Sequence, residues 1–215
     1  MRGLFVTFEG VEGSGKSTQM DRLARLLSRR GQSVLKTREP GGTAFGEQIR
    51  DVLLSIRNRR LDPRAELFLY LASRTQHLEE VILPALEKGK IVLCDRFSDA
   101  TLAYQGYGRR LSMALVRPAV AYSAKGLSPD LTILLDIDVR RGLARVRQRG
   151  KANRIDREDL AFHERVRRGY LALARREPRR IVRVMADRDA DAVAGEIQEI
   201  LNGRLHRRAG KRHAG

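Results

Sequence analysis

The sequence predicts an α/β fold, a parallel sheet with helices on both faces. Three observations carry the prediction. Short apolar runs rich in β-branched residues recur at 4–8, 33–37, 91–94, 131–135 and 181–185. The stretches between them place apolar residues at helical spacing, and strands alternating with helices build parallel sheets. A glycine loop, GVEGSGKS at 10–17, follows the first run directly and opens the first helix. With 215 residues and 42% hydrophobic content, the chain is long and apolar enough for one domain with a full core.

Taken in order, the first strand ends at Glu9. The helix over 16–30 carries Met20, Leu23, Leu26 and Leu27 on one face and stops at Gly31. The second strand runs into REPGGT at 38–43, where proline and paired glycines exclude regular structure. Thr43 is placed to cap a helix reaching Ser55, with Glu47 in its first turns. Asp62-Pro63 reads as a helix start, an acid at the cap and proline in the first turn. That helix continues through Leu67, Leu71, Leu78 and Ile82 to Gly89, with a kink expected at Pro84. The third strand ends at Asp95-Arg96. A loop with a short helix follows over 98–108, and a further helix over 112–124. After the fourth strand come a helix at 139–148, a basic loop at 149–156, a long helix at 157–177, the fifth strand and a closing helix at 190–201. The domain is bounded at 1–203, and 204–215 is expected to be a basic, disordered tail.

The net charge of +17 is local. Positions 140–183 hold 16 Lys/Arg against 5 Asp/Glu, and 204–215 add five basic residues and no acid. Aromatic residues are only 5%, which argues against a platform for stacking single strands. There is no apolar run of membrane-spanning length, and the first strand starts at once. Neither a signal peptide nor a membrane span is expected. Cys94 is the only cysteine, which removes a disulfide framework and fits a reducing cytoplasm; it reads as a small buried apolar residue.

The loop at 10–17 fits G-x-x-x-x-G-K-[ST] in the strand–loop–helix context that a phosphate-binding P-loop needs. Its glycines turn successive N–H groups inward, and the helix start adds positive potential. Lys16 would reach the outer phosphates of a nucleoside triphosphate and Ser17 would hold Mg²⁺. Ligands of parallel sheets bind beyond the carboxyl ends of the strands. That rule gathers residues 9–17, 38–43, 95–96 and Asp136 on one rim. Arg38, Arg74 and Arg96 then face a second anion, and Asp95 and Glu9 are acids able to hold Mg²⁺ or its waters. A P-loop that only hydrolysed ATP would not need a second anion site, whereas a phosphorylated acceptor would. The bland alternative for each arginine is a solvated surface charge. The basic segment at 145–157 reads either as a lid hinged at Gly150 or as a solvated hairpin.

The chain resembles the bacterial thymidylate kinases, P-loop nucleoside monophosphate kinases. FEGVEGSGKST at 8–18, TREPGGT at 37–43, AELFLYLASR at 65–74, DRF at 95–97, AYQG at 103–106, PDLTILLD at 129–136 and NRID at 153–156 carry the likeness. It implies a P-loop kinase fold, with a five-stranded parallel sheet, helices on both faces and a short basic lid. It also implies Mg²⁺-dependent transfer from ATP to dTMP, giving dTDP and ADP for dTTP synthesis, in a cytoplasmic homodimer with no membrane or specific nucleic-acid partner. By the same resemblance Gly10, Val11, Glu12, Gly13, Ser14, Gly15, Lys16, Ser17 and Thr18 would hold ATP, with Ser17 and Asp95 toward the metal. Glu12 would meet the acceptor's 3′-hydroxyl, and Arg38 and Arg96 its phosphate. Tyr70 would stack on thymine, Arg74 would bond its carbonyl edge, Thr101 and Gln105 would border the base, and Tyr104 would pack on the deoxyribose. No P-loop position between the glycines is basic, so the lid would supply the catalytic cation. Arg149 and Arg154 are chosen ahead of Arg145 and Arg147, to act with Lys16, Asp95 and Arg96. Ala100, Phe97 and Asp156 depart from the family's usual residues. The rivals are a P-loop kinase for another nucleotide or deoxynucleoside, and a polyanion binder that uses ATP as a switch.

Overall fold

The computed structural model describes residues 3–150 and 152–213. Its strands are β1 (Leu4–Glu9), β2 (Val34–Arg38), β3 (Ile91–Asp95), β4 (Leu131–Asp136) and β5 (Ile181–Met185). They form one all-parallel sheet in the order β2-β3-β1-β4-β5. The central strands β1 and β4 are buried along their whole length, as strands covered on both faces must be. Alternation sends Leu4, Val6 and Phe8 into the larger core and Phe5 into the smaller one, where its ring meets Phe97 edge-on at 4.9 Å. Register brings Arg38 beside Asp95 and Asp95 beside Phe8, so the chemistry-bearing strand ends share one rim.

The helices are α1 (Lys16–Arg29), α2 (Ala44–Leu54), α3 (Pro63–His77), α4 (Leu83–Glu87), α5 (Ser98–Thr101), α6 (Met113–Ser123), α7 (Val139–Gln148), α8 (Leu160–Arg176) and α9 (Ala190–His213). The expected caps are in place. Thr43 accepts from the Gly46 amide at 2.9 Å, and Asp62 accepts from the Arg64 amide at 2.8 Å. The long helix from Asp62 is not one regular α-helix up to Gly89. It widens into a π turn at Leu78–Ile82 and continues as α4. Pro84 has no N–H and its ring would strike the carbonyl four residues back in a regular helix, and the π turn lies directly before it, with Pro84 in the first turn of α4. A second π turn, Leu102–Gly108, replaces the expected loop after α5.

Two boundaries are corrected. Helix α8 starts at Leu160 rather than Arg157, because Asp159 caps it by accepting from the Phe162 amide at 2.6 Å. Helix α9 runs on to His213 rather than ending at Leu201. Gly203 lowers helix propensity by only about 1 kcal/mol, and Leu201, Arg204 and Leu205 around it are good helix formers. Cys94 is fully buried, as expected.

Candidate active site

The P-loop joins the end of β1 to the start of α1. Gly13 has φ +69, and a Cβ there would lie 2.1 Å from the Gly142 carbonyl oxygen. A Cβ on Gly142 would in turn lie 2.3 Å from the Glu12 carbonyl oxygen. The missing side chains let α7 rest directly on the P-loop backbone. The Arg145 guanidinium donates to the Gly13 carbonyl at 3.3 Å from the same helix. Lys16 is buried, its Nζ donating to the Gly10 and Val11 carbonyls at 3.1 and 3.0 Å and to Ser14 Oγ at 3.4 Å. Burial, then the Arg96 charge, lower its pKa to about 8. Ser17 and Thr18 are exposed in the first turn of α1. Ser17 Oγ donates to the Asp95 carboxylate at 3.1 Å. These two oxygens are hard donors at the mouth of the loop. Among the described residues no cluster of three or more His, Cys, Asp or Glu could enclose a metal ion. The Ser17 hydroxyl and Asp95 carboxylate are a donor pair that fits Mg²⁺, which takes few protein ligands and completes its shell with phosphate and water.

Beside the loop lies a cavity of about 320 Å³. Glu12, Arg38, Tyr70, Arg74, Arg96, Thr101, Tyr104 and Gln105 all line it, so the structure brings together every residue expected at an acceptor. Arg149 and Asp95 line it too. The Arg74 guanidinium is buried in the wall, with Nε on Glu39 at 2.8 Å and Nη2 on Thr101 Oγ1 and the Phe97 carbonyl at 2.8 and 3.1 Å. Its Nη1 is buried with no partner. Arg96 has the left-handed backbone φ of +71, and its guanidinium lies 4.7 Å over the Tyr104 ring. It donates to the Gly10 carbonyl, Tyr170 Oη and Glu12, each at 3.1 Å. Glu12 also accepts from Tyr104 Oη at 2.5 Å and contacts His163 Nδ1 at 3.1 Å. Burial would raise the Glu12 carboxyl, but the His163 hydrogen bond and the Arg96 and Lys16 charges outweigh it and hold it at about 2. Arg38 is half exposed and paired with Glu47 at 2.9 Å.

Three of the residues expected at or near the site are held by the protein's own groups. Glu9 does not reach the cavity, because its carboxylate accepts from the Phe97 amide at 2.8 Å and from Tyr170 Oη at 2.7 Å. Burial, then the Asp99 charge, push its carboxyl up to about 8, which disfavours the charged form a metal would need. Asp136 stands on the rim but is buried under Arg167 and Arg183 at 2.7 and 2.6 Å. Arg154, chosen as a lid cation, is also buried. It donates Nε to the Leu53 carbonyl at 2.7 Å and Nη2 to Glu66 at 2.6 Å, and it is not part of the cavity wall. Arg149 and Arg145 are the lid arginines nearest the loop and cavity.

Sequence reasoning missed Arg50, Glu39, Glu66 and His163. Arg50 lines the cavity, donates to the Pro40 carbonyl at 2.9 Å and adds a cation beside Arg38. Its spacing three residues after Glu47 was a usable signal, since it puts both on the α2 face toward loop 38–43. The buried acids and His163 gave none, because their partners lie far away in the chain.

A family model described as thymidylate kinase matches residues 8–197 of this chain. A thymidylate kinase of Exiguobacterium sp. is 48% identical over 205 residues, covering 95% of this chain and 97% of that protein. One from Solidesulfovibrio magneticus is 52% identical over 205 residues, covering 92% and 98%. The crystal structure of thymidylate kinase from Ehrlichia chaffeensis superposes with a TM-score of 0.77 at 34% identity, covering 94% of this chain and 99% of that one.

Proposed function

Because the chain belongs to the thymidylate kinase family and transfers a phosphoryl group from ATP to dTMP, giving dTDP and ADP, we propose that the P-loop holds the donor and the adjoining cavity holds the acceptor. The observation that carries the assignment is the Arg74 Nη1, a buried donor with no partner in the cavity wall. Such a group costs about 1–3 kcal/mol if left unmet, and the 4-carbonyl of thymine meets it. Tyr70 stacks on the ring, Thr101 and Gln105 border it, and Glu12 takes the sugar hydroxyl. Arg38, Arg50 and Arg96 gather the acceptor phosphate.

In this reading a dTMP phosphate oxygen attacks the γ-phosphorus. A P–O bond forms to the acceptor as the bond to the β–γ bridging oxygen breaks, and the electron pair leaves on ADP. No side chain need act as a strong base, since the phosphate oxygen is already nucleophilic. Lys16 and the loop amides follow the γ-phosphate, Arg96 holds the nucleophile in line, and Arg149 closes over the transferring group, so positioning and charge neutralisation carry the rate. Ser17 and Asp95 would hold Mg²⁺, which would screen the phosphate charge.

The testing experiment is ADP release with ATP and Mg²⁺ across dTMP, dUMP, dCMP, UMP, AMP, GMP and thymidine. dTMP is expected to be strongly preferred, with dUMP second. Preference for any other acceptor overturns the base assignments. Tyr70→Ala is expected to raise KM for dTMP by roughly 10- to 100-fold, the worth of a stacked base, with little change for ATP. Equal changes in both constants would make Tyr70 a packing residue.

We further propose that the enzyme is a cytoplasmic homodimer. Phe68 on α3 and Leu115 and Tyr122 on α6 are strongly exposed, and these helices pack side by side. Apolar groups of that size on neighbouring helices fit a second copy of the chain. Leu115→Glu is expected to give monomers by light scattering, and an unchanged mass would reject this face. No helix among the described residues is long and apolar enough to cross a membrane. The polyanion rival loses support from the basic run itself. Arg154, Arg167, Arg180 and Arg183 all pair with buried acids and are not free for a polyanion.

A further inference from the structure

We propose that Glu66 fixes which end of the Gln105 amide faces the acceptor base, and thereby sets the preference for thymine over cytosine. The inference rests on reading the cavity as the acceptor site. Glu66 lies in the first turn of α3, fully buried and outside the cavity wall. Arg109 holds it in a bidentate pair, Nε to Oε1 and Nη2 to Oε2, both at 3.0 Å. Arg154 Nη2 adds a bond to Oε2 at 2.6 Å. Gln105 Nε2 lies 2.7 Å from Oε1. Two guanidinium groups on one carboxylate keep it ionised, and they outweigh the burial that would protonate it.

An ionised carboxylate has no proton to donate. The Gln105 atom facing it must therefore be the NH₂, whichever way an amide could otherwise be drawn. Its carbonyl Oε1 is left without a partner among the described residues, on a side chain that lines the cavity. Arg74, bonded to Thr101 one turn earlier, lines the same wall and has a buried Nη1 donor without a partner. The wall thus offers one donor and one acceptor. Thymine offers the complement, an acceptor at O4 and a donor at N3–H. Cytosine offers the reverse at both positions, a donor at its amino group and an acceptor at bare N3. Cytosine would leave the Arg74 donor unmet and set its N3 lone pair against the Gln105 carbonyl. Without an enforcing carboxylate, the Gln105 amide could turn over and meet cytosine's N3 with its NH₂. Glu66 touches no substrate, so it acts as a positioning residue.

The test is kcat/KM for dTMP and for dCMP, with KM for ATP, in Glu66→Gln and in Gln105→Met. In Glu66→Gln the new amide can donate as well as accept, and the ratio of dTMP to dCMP efficiency is expected to fall by about tenfold or more, with KM for ATP unchanged. Equal losses on both acceptors would mean a structural role only and overturn the proposal. Gln105→Met separates this from the underlying reading. If it leaves the ratio intact, the acceptor-site assignment of Gln105 itself fails. If it lowers the ratio while Glu66→Gln does not, that assignment stands and Glu66 is not the orienting group. Should Glu66→Gln not fold, the unmodified chain still decides by nitrogen-15 NMR of the Gln105 side-chain amide, assigned by its loss in Gln105→Met. Downfield, slowly exchanging NH₂ protons that barely shift when dTMP binds support the proposal. NH₂ protons that become protected only with dTMP overturn it.

Discussion

Lys16→Met is expected to leave a folded protein that turns over about 10³-fold more slowly, the scale of losing a preorganised transition-state donor and its charge. The fold should survive because Lys16 braces only its own loop. Its Nζ rests on the Gly10 and Val11 carbonyls and Ser14 Oγ, and the sheet beneath does not depend on it. Those contacts hold the ammonium in place until phosphate oxygens replace the carbonyls. Thermal unfolding and kcat together check the outcome, and near-normal turnover would remove Lys16 from the chemistry. A pH signature accompanies it. The Lys16 pKa of about 8 is depressed from 10.5 by burial and by Arg96. A bound triphosphate favours the charged form and raises it again, so ATP binding must take up protons. At pH 8 the uptake should be roughly half a proton, shrinking toward zero at pH 6. Calorimetry in buffers of different ionisation enthalpy measures it, and the uptake should vanish in Lys16→Met.

Legibility in the sequence followed the range of the interaction. The strands, the P-loop and the caps at Thr43 and Asp62 are local, since each is decided within a few residues, and each stands where the pattern put it. The rim was legible too, because parallel strands place their carboxyl ends together whatever the loops do. The resemblance then named eight residues that a single cavity gathers. What could not be read was which buried charge meets which. Glu12 and His163 are 151 positions apart, Glu9 and Tyr170 161, and Glu66 and Arg154 88. Helical periodicity says that a face is buried and not what lies opposite. Arg154 is the plainest case, since nothing near it in the chain points to Glu66. A basic loop looks the same whether its arginines reach ligand or close on a hidden carboxylate. The π turn at 102–108 was equally opaque, yet it carries Tyr104 and Gln105 to the cavity.

Arg96→Lys should lower kcat/KM for dTMP by about 10³-fold while moving KM for ATP by no more than about threefold, because only a planar guanidinium can serve several partners at once. Arg96 follows Asp95 at the end of β3 with a positive φ, a turn that brings its side chain back toward the P-loop. There it bonds the Gly10 carbonyl, Tyr170 Oη and Glu12 and lies over the Tyr104 ring. These contacts fix the fork before any ligand arrives. A phosphate drawn to it would meet a cation whose position is already set, and the entropy of placing the nucleophile would be lost on folding rather than during reaction. Lysine keeps the charge but gathers its three donors at one point. It can satisfy Glu12 or the phosphate, not both with the Gly10 carbonyl, and it loses the planar stack on Tyr104. The charge is thus conserved and the geometry removed, which makes the substitution a test of positioning. If kcat/KM for dTMP fell only a few-fold, bulk electrostatics at the rim would suffice, with Arg38 and Arg50 supplying it. If ATP and dTMP suffered alike, Arg96 would belong to the P-loop's own architecture. The expected split assigns it to the acceptor, as the group that holds one phosphate in line with the other.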